Sequence, residues 1–260
     1  MNVNSDLIST TDRRAQIISA LEEKGVVQVQ ELSELYRVSQ VTIRNDLAYL
    51  EGKNVLLRTR GGAIKHNKIA LDLAISEKAR RNFEQKRRIG KKAAELIHDG
   101  DTIIIDSGTT TLEIAKRINN FSHLTVITHA LNIALELAKV ENIEIIMPGG
   151  TLRSNSFSLV GSKAEQNLKE YYTDRFFLGV DGFDTTTGIY TPIVSEAQIN
   201  RVMGEITREI IVVADSSKFG KRSLAYILPV SKIHTVITDD GLSKEDKTKL
   251  ISQNIKLIIA

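Results

Sequence analysis

Apolar positions in the first sixty residues recur at helical spacing, and beyond residue 100 they give way to short continuous runs. Ile17, Ile18 and Leu21 form one stripe over 13–24, with Asp12 placed to open that helix and Gly25 to stop it. Val26-Val27-Gln28-Val29 predicts a short extended segment, and Leu32 and Leu35 predict a second helix over 30–36. A third helix is expected over 38–51, V-S-Q-V-T-I-R-N-D-L-A-Y-L-E, with Ile43, Leu47 and Leu50 turned inward. Ser39 stands where a hydroxyl can accept a bond from an orphan amide of the first turn. Val55, Leu56 and Leu57 then predict a strand, and Gly61-Gly62 a sharp turn.

From residue 101 the runs rich in β-branched residues fall at 102–105, 124–128, 143–147, 175–180, 210–214, 235–238 and 255–259. Helical patterns lie between several of them, at 111–118, 130–140, 163–171, 196–208 and 244–252. Apolar strands joined through helices specify a mostly parallel sheet covered on both faces. The expected architecture is an N-terminal winged helix-turn-helix over 1–62, a charged linker over 63–85 and a C-terminal α/β domain over 86–260. That domain opens with a helix from Lys86 carrying Ile89, Ala93, Leu96 and Ile97, whose basic start, K-R-R-I-G-K-K, reads as solvated or as a contact to DNA backbone.

Charge sharpens the division. Residues 1–92 hold 18 Lys and Arg against 11 Asp and Glu, and the remaining 168 hold 17 against 21. A basic N-terminal piece on a mildly acidic body fits a polyanion-binding head, or equally an uneven solvated surface. The chain has no cysteine, and its five histidines show no ligand spacing, so neither a thiolate nor a metal site is expected and no cofactor is implied. No run approaches a membrane span and no secretory signal is seen, which places the chain in the cytoplasm, on the nucleoid when bound to DNA.

The outer face of the third helix carries Gln40, Val41, Arg44, Asn45 and Ala48, and no carboxylate. Amide and guanidinium groups read base edges in a major groove through paired hydrogen bonds, so Gln40, Val41, Arg44 and Asn45 are the candidate base readers. Ser39, Thr42, Arg58 and Arg60 are the candidate backbone contacts, the two arginines alternating on one side of a strand that reads as a wing. The plain alternative is a surface hairpin with two solvated arginines.

Ligands of open α/β sheets bind beyond the carboxyl ends of the strands. There the chain offers Asp106-Ser107-Gly108-Thr109-Thr110-Thr111, where hydroxyls, a glycine and a helix start can cradle a phosphate, or else form an ordinary cap. Gly149, Gly150 and Arg153 follow the third run, Asp181 and Asp184 the fourth, and Lys218 the fifth, with Glu196 heading a helix. Together these residues outline a pocket for a small phosphorylated, hydroxyl-rich molecule. Neither a Gly-x-Gly-x-x-Gly nor a Walker sequence is present, which disfavours dinucleotides and nucleoside triphosphates.

With these residues assembled, the chain resembles the DeoR family of bacterial regulators of sugar metabolism. The resemblance rests on V-S-x-x-T-I-R-x-D-L-x-x-L-E at 38–51, R-x-x-G-G-A at 58–63, D-S-G-T-T-T at 106–111 and P-G-G-x-L-R at 148–153. G-V-D-G at 179–182, Glu196-Ala197 and D-S-S-K-F at 215–219 complete it. Asn45 stands where the family pattern has a second arginine, as in its N-acetylgalactosamine (aga) branch, so operator sequence cannot be carried over from other members. The resemblance implies a C-terminal domain similar to ribose-5-phosphate isomerase. It also implies a homo-oligomer, dimer or tetramer, that holds operator DNA until a phosphorylated sugar or amino sugar releases it. An isomerase with an appended head is the rival reading. The lysine that the isomerase carries between the positions of Asp184 and Glu196 is absent, so binding without turnover is expected.

Overall fold

The structure, a computed structural model, describes residues 8–53, 55–59, 61–65 and 73–260. They divide into two compact units on either side of the 67/68 boundary.

The first unit runs α1 (Thr10–Lys24), β1 (Val26–Gln28), α2 (Val29–Tyr36), α3 (Gln40–Gly52), β2 (Leu56–Arg58) and β3 (Gly62–Lys65). Ile17, Ile18, Leu21, Leu32, Ile43, Leu47 and Leu50 are all buried, so the three stripes meet in one small core. Ser9, not Asp12, caps α1: its hydroxyl accepts from the Asp12 amide at 3.1 Å and donates to the Asp12 carboxylate at 2.7 Å. Asp12 sits three residues inside the cap, the reciprocal place in a capping box. The strands pair antiparallel in the order β1-β3-β2, a wing closed onto the helices. Gly62 is required there, since a Cβ would lie 1.9 Å from the Val27 carbonyl oxygen.

The second unit contains α4 (Ile75–Arg80), α5 (Phe83–Ala94), β4 (Thr102–Ile105), α6 (Thr109–Ala115), β5 (Leu124–Ile127), α7 (Leu131–Leu137) and β6 (Ile143–Ile146). There follow β7 (Thr151–Arg153), β8 (Ser158–Val160), α8 (Ser162–Leu168), β9 (Thr173–Gly179), β10 (Gly182–Asp184), β11 (Gly188–Thr191) and α9 (Val194–Glu205). Last come β12 (Thr207–Val213), β13 (Ala225–Leu228), β14 (Thr235–Thr238), α10 (Lys244–Ser252) and β15 (Lys256–Ile259). The seven expected runs form one parallel sheet, ordered β15-β14-β12-β9-β4-β5-β6. Alternate side chains serve two cores. Ile104, Phe176, Leu178 and Val212 pack with α8 and α9, and Ile103, Ile105, Phe177 and Ile211 with α5, α6 and α7. The β7–β8 hairpin and the antiparallel β10-β11-β13 sheet have no counterpart in the hydrophobic pattern, because their strands are short and mixed in polarity.

The segment expected as a linker is structured at both ends. β3 belongs to the wing through pairing that no local periodicity reveals, and α4 and the start of α5 belong to the second unit. This relocates the charge asymmetry. Residues 1–67 carry 9 Lys and Arg against 8 Asp and Glu, so the basic surplus lies on 68–92 and not on the head.

Candidate functional site

On the head, Ser39 caps α3 by accepting from the Thr42 amide at 3.1 Å, and its hydroxyl lies 2.9 Å from that of Thr42. Gln40, Val41, Arg44 and Asn45 are exposed on one face, with Arg44 Nη2 donating to Gln40 Oε1 at 3.1 Å. The absence of a carboxylate from that face has a structural cause. Asp46 turns inward, accepting from Arg13 Nε at 2.6 Å and Arg14 Nε at 2.7 Å, which ties α1 to α3. Arg14 also lies 3.8 Å over the Tyr49 ring. Arg58, expected on phosphate, pairs with Glu51 at 3.2 Å, and its amide donates to the same carboxylate. Arg60 lies outside the described residues.

In the second unit the strand order reverses between β4 and β9: β5 and β6 extend the sheet on one side, β12, β14 and β15 on the other. At such a switch point the loops at the carboxyl ends part and leave a crevice. A cleft of about 620 Å³, counting its open mouth, lies there. It gathers Asp106, Ser107, Gly108, Thr109, Thr110, Asp181, Glu196 and Lys218 from the sequence candidates.

The other candidates do structural work nearby. Thr111 is wholly buried and donates to the Gly108 carbonyl at 3.1 Å, closing the loop from beneath. Gly150 passes over β8, where a Cβ would meet the Val160 carbonyl oxygen at 2.7 Å, and Gly149 precedes it in the same left-handed region. Neither glycine faces the cleft. Asp184 accepts from the Thr186 and Thr187 amides at 2.9 and 3.1 Å and from Arg222 Nε at 2.7 Å, so it shapes the β10–β11 turn and lies outside the lining of the cleft. Arg153 is spent on Glu196 at 2.5 Å, and Ser156, Ser158 and Thr191 donate to the same carboxylate.

Lys78 and Lys86, which the sequence reading did not place in a site, join Lys218 as the cations of the cleft. Lys86 is 3% exposed, and its ammonium donates to the Lys78 carbonyl. Burial, then the neighbouring Lys218, lower its pKa to about 8, against a smaller opposing pull from Asp215. Gly90, one turn on, lets α5 press against α6, because a Cβ there would lie 2.6 Å from that of Glu113. That approach sets Lys86 beside the 106–110 loop. The signal was present: Lys86, Ile89, Gly90 and Ala93 share one helical face, so this lysine belongs to the buried stripe. Lys78 grips Asp181 at 2.8 Å, and Lys218 lies 3.6 Å from the same carboxylate. Burial works to raise the Asp181 pKa, but the two lysines hold it below its ordinary value.

Asp106, at the end of β4, accepts from the Gly179 amide at 3.1 Å through one oxygen, while the other lies 3.5 Å from His129 Nε2. Burial, reinforced by Glu196, raises the Asp106 pKa well above the usual carboxylate range, and burial pushes His129 down to about 4. Neutral partners sharing a proton suit this enclosed place better than an ion pair. The Asn200 side-chain oxygen and one Asp215 oxygen are also buried without a protein partner. The cleft therefore sets the lysines and the hydroxyls of the 106–110 loop beside groups that can accept from and donate to hydroxyls. Among the described residues no group of metal ligands is found, and no helix is long and apolar enough to cross a membrane.

Two family models match the chain: a DeoR-like helix-turn-helix domain over residues 13–68 and a DeoR C terminal sensor domain over 81–240. A protein of Escherichia coli O157:H7, named for transcriptional repression of the aga operon, is 41% identical over 252 residues, covering 96% of this chain and 94% of that one. The glycerol-3-phosphate regulon repressor of Escherichia coli K12 is 33% identical, covering 88% and 90%. The transcriptional repressor GlcR of Bacillus subtilis is 35% identical and covers 88% of each chain. Among solved structures, ribose 5-phosphate isomerase A from Methanocaldococcus jannaschii aligns with 54% of this chain and 56% of that one, at 20% identity and a TM-score of 0.41, too loose a likeness to argue from.

Proposed function

This chain belongs to the DeoR family of helix-turn-helix transcriptional regulators, and from that premise we propose that it represses a sugar or amino-sugar catabolic operon and leaves its operator when a phosphorylated sugar binds. The observation that carries this reading is the meeting of Lys86 and Lys218 with the hydroxyl-bearing 106–110 loop and the Asp181 carboxylate at the sheet's switch point. The lysines and hydroxyls suit a phosphate; Asp106, Asp181 and Asn200 suit the hydroxyls of a sugar. The relative named for the aga operon favours an amino sugar.

Regulation fits the cleft better than isomerisation does. An isomerase needs a carboxylate free to take a proton. Glu196 is instead held by an arginine and three hydroxyls. On DNA, Gln40, Val41, Arg44 and Asn45 would meet base edges, with Ser39, Thr42, Arg58 and Arg60 on the backbone. The Arg58–Glu51 pair is exposed on both sides, so exchange of Glu51 for a phosphate is inexpensive. Paired half-sites read by a dimer or tetramer follow from the usual geometry of such heads. Effector release requires the ligand to prefer an arrangement of the heads that no longer matches the operator.

The test is binding of the full chain to its own promoter and to random duplex, with and without hexose and amino-sugar 6-phosphates. Promoter preference and release by at least one phosphate are expected; equal affinity for both duplexes would sink the reading. Arg44→Ala should weaken promoter binding by about 1–3 kcal/mol. Lys86→Met should remove the loss of effector affinity expected of the wild type as pH rises through about 8.

A further inference from the structure

We infer that Lys78, carried by the segment that follows the DNA-binding head, pins that segment to the cleft, and that its bond to Asp181, which a ligand would displace, transmits occupancy of the cleft to that head. The inference deepens the reading of the cleft as an effector site and rests on it.

The segment is α4 with the turn at Asn82. No residue of α4 is buried. A six-residue helix is too short to hold its shape by itself. Its position depends on bonds to its surroundings. The Ile75 amide donates to the Asn155 carbonyl at 2.9 Å. The Lys78 ammonium lies 2.8 and 3.0 Å from the two Asp181 oxygens, and the Lys78 carbonyl accepts from Lys86. Asn82, in the left-handed region at φ 50°, turns the chain into α5 and donates to Asp215 at 2.8 Å and to the Ser217 hydroxyl at 3.2 Å.

Asn155, Asp181 and Lys86 all line the cleft. A ligand whose hydroxyls take Asp181, or whose anion takes Lys86, therefore draws on the groups that hold α4 in place. The exchange is feasible because Lys218, 3.6 Å from Asp181, keeps a cation beside that carboxylate once Lys78 lets go. A buried carboxylate stripped of every partner would oppose it. Ligand binding and docking of α4 are then linked equilibria, and among the described residues α4 is the first element after the last strand of the head.

Full-length Lys78→Met tests this, with Arg88→Met as control, since Arg88 on α5 pairs with Asp240 at the exposed surface, away from the cleft. Promoter affinity would be measured by fluorescence anisotropy without effector, then with N-acetylgalactosamine 6-phosphate, glucosamine 6-phosphate or inorganic phosphate. Thermal shift with the same three compounds would report their binding. Lys78→Met should weaken promoter binding without any ligand by roughly fivefold or more, and the further weakening caused by an effector should shrink toward none. Arg88→Met should match the wild type in both. If Lys78→Met binds promoter and is released as the wild type is, the inference is overturned. If no phosphate acts on the wild type yet Lys78→Met still weakens promoter binding, the effector reading fails while transmission through α4 stands.

Discussion

Asp106 and His129 face each other at 3.5 Å beneath the cleft, each lacking any other partner for the atoms involved, and this pair contributes to how the second unit answers to pH. His129 is depressed by burial to about 4, so the folded protein stays neutral there while the unfolded chain takes up a proton near 6.5. A base depressed in the fold contributes stability that is present above the unfolded pKa and is lost as pH falls through the folded one. The loss from this group between pH 6.5 and 4 is about 3 kcal/mol. Asp106 acts in the opposite sense, because a carboxyl with a raised pKa gains as pH falls. His129→Gln keeps Asp106 and removes the imidazole. Denaturant unfolding at the two pH values should show the variant losing about 3 kcal/mol less than the wild type. Parallel losses would mean that His129 carries its proton in the folded state. Spacing among the histidines excluded a metal cluster, but it could not indicate that one of them would meet an aspartate 23 residues away.

At the scale of elements, α3 is aimed by a buried ion triad. Asp46 occupies the inward stripe with Ile43, Leu47 and Leu50, and is answered by Arg13 and Arg14 from α1. Removing one partner of a buried pair strands the other charge, which typically costs 3–5 kcal/mol. Asp46→Ala should therefore unfold or loosen the head, with promoter binding lost while the thermal response of the second unit to sugar phosphates persists. Loss of that response as well would show that the two units do not fold independently. The stripe was readable, since Asp46 stands three residues after Ile43 and four before Leu50. Its partners were not: spacing puts Arg13 in line with Ile17 and Leu21, but it does not say which residue of another helix it meets. The hairpins were unreadable for a related reason: β7, β8 and β10 are three residues long, too short for alternation to show.

For the whole molecule, the two units must be coupled energetically if an effector is to move the chain off DNA. Such coupling is reciprocal: the factor by which a sugar phosphate weakens operator binding must equal the factor by which operator weakens sugar-phosphate binding. Calorimetric titration of the effector with and without saturating promoter duplex should give that same factor, typically 5–150. Unequal factors would point to a third linked step, such as a change of oligomer. The charge distribution matters at this scale too. With 9 basic against 8 acidic residues on 1–67, affinity for DNA depends on where the head's cations lie and not on a bulk surplus.

The order of residues by itself determined the three head helices, the wing strand and all seven strands of the parallel sheet. Each of these carries an apolar pattern of its own, and that pattern is a local property of the chain. The motif-bearing loops after the strands were likewise readable in place. Tertiary structure alone decided which of those loops meet. Strand order put the ends of β4 and β9 side by side, sent Asp184 into a turn and bound Arg153 to Glu196. It also brought Lys78 onto Asp181, 103 residues away, and set Lys86 beside the 106–110 loop. Contacts between distant segments depend on how the layers stack, and a period along the chain carries no information about that.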